Sequence, residues 1–351
     1  MEAVAERSTS GRTRLRRWLL PLGYLVIAGV VATVIIRIVG KIDWSAVGDA
    51  LGHLAWWQPL VLIGVLLVRQ FVNALPLAFY IPGVGPFRAM VNDQLGIMMA
   101  SVAPPPGDMA IRVALFRAWN VPVPQALAGT TLNMLTFYIV RFGAPVIGFV
   151  LLVVTGQEPG LRWLDLLSVA IAAGILAALI LVIRADRTAR AVGDRSARVV
   201  RRFRPSVDPA AWAEGCAGFR HDASARFRWG FPRSLVATVG MLVADLTLLL
   251  LCLRFVGLDT TEISVVDVAI AYFFAYPFTV FFFSGIGIVD ALIIAALVDL
   301  GGIEVEAAAV AGLIVWRVFF IGGPIVFGLI CLAFLRTTIR AAKLEAEPEQ
   351  A

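Results

Sequence analysis

Two stretches of this chain place ionisable side chains where an apolar run breaks. In Ser101–Arg117, SVAPPPGDMAIRVALFR, no helix passes Pro104, Pro105, Pro106 and Gly107 without losing backbone hydrogen bonds, and Asp108, Arg112 and Arg117 follow at once. The run Val268–Leu300 holds Pro277, breaks at Ser284, Gly285 and Gly287, and continues with Asp290. Arg69, Arg141, Asp245 and Arg317 lie inside further apolar runs. In a bilayer, irregular backbone and charge are tolerated only where they are shielded from lipid, which marks both breaks as candidate binding sites.

The chemistry on offer is recognition of an anion. An arginine fork binds phosphate oxygens through paired N–H donors, so Arg112, Arg141 and Arg317 are candidate headgroup contacts. Helix N-termini beginning at Gly107 and Gly287 would add backbone N–H groups and the positive end of a helix dipole. Asp108 and Asp290, in those first turns, are placed to cap a helix, to hold an arginine, or to receive an ammonium or a proton. The competing role for each is an ion pair that only fixes packing, and that role is expected for Arg69 with Asp245.

Catalytic chemistries have less to work with. His53 and His221 are the only histidines and fall in different connections, so neither a histidine base nor a histidine-ligated metal is expected. Cys216, Cys252 and Cys331 show no paired spacing for a disulfide or a metal and are expected to pack. No nucleophile has a partner within reach, no paired acidic motif is visible, and no ATP-binding loop is present. The expectation is no enzyme, no cofactor and no metal.

The elements that position these residues are membrane helices. Of 351 residues, 60% are hydrophobic and 15% charged, and the mean hydropathy of +0.88 lies outside the range of soluble domains. The expected fold is an all-α polytopic membrane protein with about six full transmembrane helices plus two re-entrant helical hairpins in an inverted repeat. The net charge of +6 sits in short connections, where it orients a membrane protein, so nucleic acid is not implied.

Five units follow in order: a basic cytoplasmic N-terminus (1–17), an N-terminal membrane half with the first hairpin (18–183), a basic cytoplasmic loop (184–233), a C-terminal membrane half with the second hairpin (234–335) and a cytoplasmic tail (336–351). Arg7, Arg12, Arg14, Arg16 and Arg17 precede Trp18–Gly40, which is longer than a signal-peptide core and reads as a retained anchor leaving the cytoplasm. Lys41–Trp56 is then external. Trp57–Tyr80 returns with Arg69, Gln70 and Asn73 on one helix side. Met90–Val102 and Met109–Phe116 are each too short to cross and make the first hairpin, open to the cytoplasm. Ala126–Val154 leads out, Gln157–Arg162 turns, and Leu161–Ile183 leads back.

The stretch Arg184–Arg233 holds twelve arginines and marks the cytoplasmic side; binding of anionic lipid heads is its sharper alternative role. Ser234–Val256 leads out with Asp245 near its middle, the second hairpin opens externally, and Ala307–Leu335 ends inside before a polar, disordered tail, Leu344–Ala351. Spacing supports the repeat, since each unit places its break about 50 residues after its first span begins. In that register Arg69 corresponds to Asp245, Arg141 to Arg317, and Asp108 to Asp290.

These residues resemble motifs of the lysylphosphatidylglycerol synthase transmembrane, or flippase-like, family. A Pro-rich break followed by Gly-Glu and a nearby Arg is similar to Pro106, Gly107, Asp108 and Arg112, with a Gly or Asn before a proline matched by Asn120, Val121 and Pro122. A Pro-Gly-Gly-Leu-Gly-Val-Val-Glu type segment is similar to FSGIGIVDALIIAALVDLGG, Phe283–Gly302, and Arg317 falls where the family has an Arg. Both family glutamates appear here as aspartates, the first Arg is displaced by one residue, and Ser284 stands where glycine or proline is usual. The resemblance spans nearly the whole chain and implies an integral protein of the cell membrane that moves a lipid across it. The lysyltransferase domain of the family's best-known members does not follow Leu335, so aminoacylation is not expected.

The expected function is flippase-like translocation of an anionic or amino-modified phospholipid, or of a polyprenyl-phosphate-linked lipid, with both termini cytoplasmic. Expected partners are membrane lipids with anionic headgroups, and either further copies of the chain or a lipid-synthesising enzyme. A membrane-embedded lipid-modifying enzyme and an ion-coupled solute transporter are the alternatives.

Overall fold

In a computed structural model of the chain, the described residues are 54–102, 107–156, 163–184, 186–201 and 208–346, together with Gly52. The expected anchor Trp18–Gly40 with its arginines, most of the 41–56 connector, Pro104–Pro106, the Gln157–Arg162 turn and the last five residues lie outside them. Among the described residues the chain is helical with no strand. Four helices there are long and apolar enough to cross a membrane: Gln58–Tyr80, Val123–Thr155, Arg226–Phe255 and Ile303–Phe334.

In chain order, α1 is Gln58–Tyr80, α2 Pro86–Val102, α3 Gly107–Ala118, α4 Val123–Thr155, α5 Trp163–Arg184 and α6 Asp186–Arg201. Next come α7 at Pro209–Phe255, α8 at Val265–Ala275, a 3-10 segment at Tyr276–Val280, a single turn at Phe282–Gly285, and α9 at Ile288–Gly301. Finally α10, Glu306–Arg317, passes through a π-turn, Val318–Gly322, into α11, Gly323–Ala346. Local chemistry explains several of these ends. Asp208 accepts from Ala210 N–H at 2.9 Å with Pro209 just inside α7, an N-cap with proline in the first turn. Ser264 and Asp267 form a reciprocal capping box at α8. Arg254 donates to the Leu258 and Ile263 carbonyls, each at 2.7 Å, and so closes the α7–α8 turn.

Two sequence expectations need correction. The stretch 184–233 is not a loop: α6 and α7 fill most of its described part, and α7 runs unbroken across 233/234. Arginine and alanine are good helix formers, and charge density reports exposure rather than backbone conformation. At 47 residues α7 is about 70 Å long, more than twice the hydrocarbon thickness of about 30 Å. The expected return span is helical as α5, 22 residues long, with an apolar stretch at Leu166–Leu181. The tail from Leu344 is helical to Ala346.

The packing is inverted relative to a soluble protein. Val68, Val150, Val154, Val236, Val318 and Ile330 are exposed, an apolar outer surface suited to lipid. Arg69, Asp93, Gln94 and Asp245 are buried. The main core joins α1, α4, α7, α8, α9 and α10 around the fully buried Trp316 and Tyr272. A Cβ at Gly312 would come within 3.0 Å of Leu253 Cα, so glycine there lets α10 approach the α7 backbone closely. A second cluster ties the α1 end and the α2 start to α3, α4 and α5, with Tyr80 and Thr136 hydroxyls 2.7 Å apart.

Candidate functional site

A chain of polar side chains crosses the interior and connects the two broken regions. At its centre Arg69 on α1 donates from Nε to Asp245 Oδ1 on α7 at 3.2 Å, and Tyr272 on α8 donates to Asp245 Oδ2 at 2.9 Å. Asp245 is fully buried. The Trp316 indole N–H lies beside the same carboxylate outside hydrogen-bond geometry. Arg69 also donates to Gln70, and Gln70 Nε2 donates to Gln94 Oε1 at 2.9 Å. The spacing of Arg69, Gln70 and Asn73 thus does what one helix side allows: each reaches a different neighbouring group.

At the first break, Arg112 on α3 reaches back to α2. Its Nη2 donates to Asp93 Oδ1 at 3.1 Å and its Nη1 to Asn92 Oδ1 at 3.2 Å. Asn73 Nδ2 donates to the other Asp93 oxygen at 2.6 Å. Asp108, for which holding an arginine was one of the expected roles, makes no hydrogen bond or ion pair among the described residues and sits half-buried in the first turn of α3. The reason is burial: Asp93 is 4% exposed and loses far more without a cation than Asp108 does. Gly107 opens α3, and the prolines before it lie outside the described residues.

At the second break the acid does lie with the late arginine. Arg317 Nε donates to Asp290 Oδ1 at 2.7 Å, and its Nη1 donates to the Ser284 carbonyl at 3.2 Å. Gly287, at φ +81°, donates its N–H to Asp290 Oδ2 at 2.7 Å. That N–H is therefore occupied by the aspartate, not offered to a ligand as the sequence suggested. Gly285, at φ +68°, would put a Cβ 2.5 Å from the Phe278 carbonyl oxygen, so only glycine fits this turn. Ser284 also takes a positive φ of 55°, a strained conformation for a serine, and its carbonyl is the one Arg317 holds.

Aromatic rings join these parts. Arg69 lies 4.7 Å and Arg317 5.9 Å from the Phe320 ring centroid, and Phe320 stands in the π-turn, a feature frequent at functional sites. Arg141 on α4 lies 4.4 Å over Phe137 and against the Tyr276 side chain. It has no carboxylate partner among the described residues, and its Nε is buried without an acceptor. Gln94 Nε2 and Arg317 Nη2 are buried donors in the same condition. Donors are thus in surplus along this chain, whereas no group of three or more His, Cys, Asp or Glu side chains gathers among the described residues to hold a metal.

Sequence reasoning missed Asn92, Asp93, Gln94, Tyr272 and Tyr276. The run Asn92-Asp93-Gln94 was a visible signal, three polar residues inside a short apolar segment where lipid contact is excluded. The tyrosines carried no such signal, because aromatic residues are common in any membrane span.

The position of Arg112 is testable through Gly96. A Cβ there would collide with the Arg112 guanidinium, so Gly96→Ala is expected to dislodge Arg112 from Asp93 without unsettling α2, since alanine favours helix. Thermal unfolding in detergent should then show a loss of stability like that of Arg112→Ala, because Asp93 is left buried without its cation; an unchanged melting temperature would show that the Arg112–Asp93 geometry is not needed. Set against known proteins, the chain matches no family model, no curated protein and no solved structure.

Proposed function

We propose that this protein translocates a lipid with an anionic headgroup across the cell membrane, without modifying it. The observation that carries this reading is the interior charge balance. Among the described residues Asp93, Asp245 and Asp290 are matched one to one by Arg112, Arg69 and Arg317, which leaves Arg141 as a cation without a carboxylate there. An uncompensated arginine in a low-dielectric interior is costly, and a docking phosphate would offset that cost while accepting from the surplus N–H donors.

In this reading the two broken regions are re-entrant hairpins of a six-span inverted repeat, entering from opposite faces, with the arginine-rich α6–α7 connection and both termini cytoplasmic. The direct contact of Arg69 with Asp245, on the first spans of the two units, supports it, since a two-fold axis brings equivalent elements together. The four long apolar helices support the membrane setting.

The test is a fluorescent phosphatidylglycerol analogue in proteoliposomes. Wild-type protein should move it between leaflets without forming a new lipid species, and Arg141→Gln should reduce movement to the rate of protein-free vesicles. A new lipid species would point to an enzyme. Gradient-dependent uptake of a soluble solute, with no lipid movement, would point to an ion-coupled transporter.

A further inference from the structure

Away from the polar interior, α4, α5 and the N-terminal part of α7 line an open cleft of about 450 Å³, within the size range of ligand pockets. Leu135, Ile175, Ala178, Leu179, Gly215 and Cys216 supply its walls. The Thr131 hydroxyl at its edge donates to the Leu127 carbonyl at 2.8 Å and faces its own helix. Ordered water needs several polar partners, and this lining offers none, so the cleft suits an apolar occupant.

The rim has the opposite character. Glu214, which precedes Gly215, accepts from Arg190 Nη1 at 2.8 Å and so ties α6 alongside the α7 wall. Gly193 completes this contact, because a Cβ there would lie 2.6 Å from the Trp212 carbonyl oxygen. Along α6, Arg187, Arg195 and Arg201 are exposed, and the exposed Arg198 is paired with Asp194. A purely apolar slot beside a helix of arginines matches one chemistry, an acyl chain that ends in an anionic head.

We infer that this cleft binds one acyl chain of an anionic phospholipid, with the headgroup at the α6 arginines, as a site separate from the translocation path. None of the residues of the polar interior lines it, so the inference goes beyond the proposed transport and does not depend on it. Occupancy is non-covalent: burial pushes the Cys216 thiol above its ordinary range, which starves it of the thiolate that acylation or oxidation requires.

Full-length protein in phosphatidylcholine vesicles containing a minor fraction of phosphatidylglycerol with a photoreactive acyl terminus provides the test. After irradiation and digestion, label is expected on peptides holding Leu135, Ile175–Leu179 and Gly215–Cys216. Ala178→Trp, at an exposed position of α5, should fill the cleft and remove label from the Cys216 peptide while label at the lipid-facing Val68 and Leu329 persists. Thr131→Trp closes the cleft from the α4 wall and gives the same readout if the first variant fails to fold. Undiminished label at Cys216 in both variants overturns the acyl site. Equal labelling of that peptide by a phosphatidylcholine probe overturns the part given to the α6 arginines.

Discussion

Arg317→Ala is expected to abolish lipid movement while the protein still folds and reaches the membrane at wild-type level. Arg317 is the most elaborated of the arginines: Nε is on Asp290, Nη1 on the Ser284 carbonyl, and Nη2 is left without an acceptor. Asp290 keeps 20% side-chain exposure against 5% for Asp93 and none for Asp245, so this is the ion pair a headgroup reaches most readily. The fold tolerates the loss because Asp290 retains the Gly287 N–H and partial solvation. A charge-assisted hydrogen bond contributes about 1.5–3 kcal/mol, and two such bonds to a phosphate correspond to roughly a hundredfold or more in rate. Arg317→Lys keeps the charge and loses the fork, so it should retain only a small residual rate. Leaflet-to-leaflet transfer of a fluorescent anionic lipid is the measurement, and full activity of the alanine variant would remove Arg317 from the site. Asp290→Asn should impair the same step, because its single amide oxygen cannot accept from both Arg317 Nε and the Gly287 N–H.

Asp245→Ala should destabilise the protein by about 3–5 kcal/mol, the range for breaking a buried ion pair. Asp245 is the common acceptor for Arg69 and Tyr272, and its removal leaves a buried guanidinium supported by Gln70 and the Phe320 ring alone. The Tyr272 hydroxyl loses its acceptor as well. The double variant Arg69→Met/Asp245→Leu replaces both charges by apolar groups and should restore most of the stability. Thermal unfolding in detergent measures the first effect, and transport by the double variant decides the role of the pair. A stable, active double variant means that Arg69 and Asp245 only hold α1 to α7. A stable, inactive one places them on the transport path.

The pairing of these charges shows where sequence reasoning reaches its limit. Asp108 and Arg112 are four residues apart in one helix, a spacing that makes them neighbours, so a local reading joins them. The guanidinium instead goes to Asp93, nineteen residues upstream, because α2 packs along α3 and the buried carboxylate there has the greater need. Arg69 and Asp245, 176 residues apart, are suggested as a pair only by the inward-facing charge each must compensate. For Asp290 and Arg317 the local chemistry and the packing agree, since the Gly-rich turn aims Asp290 at the helix that follows.

The basic segment shows the same limit for backbone. Charge density marks 184–233 as exposed, and exposure is compatible with loop or helix alike; only contact of α6 with α7, through close-approaching Gly193 and the buried Ala197, decides for helix. By itself the sequence determined that this chain enters a membrane, that it is helical, and where prolines and glycines interrupt it, because hydropathy and breaker residues act locally. The tertiary structure alone decided which carboxylate Arg69, Arg112 and Arg317 each face, that Arg141 faces none among the described residues, and where an apolar cleft opens beside the α6 helix, because these depend on distances between segments far apart in the chain.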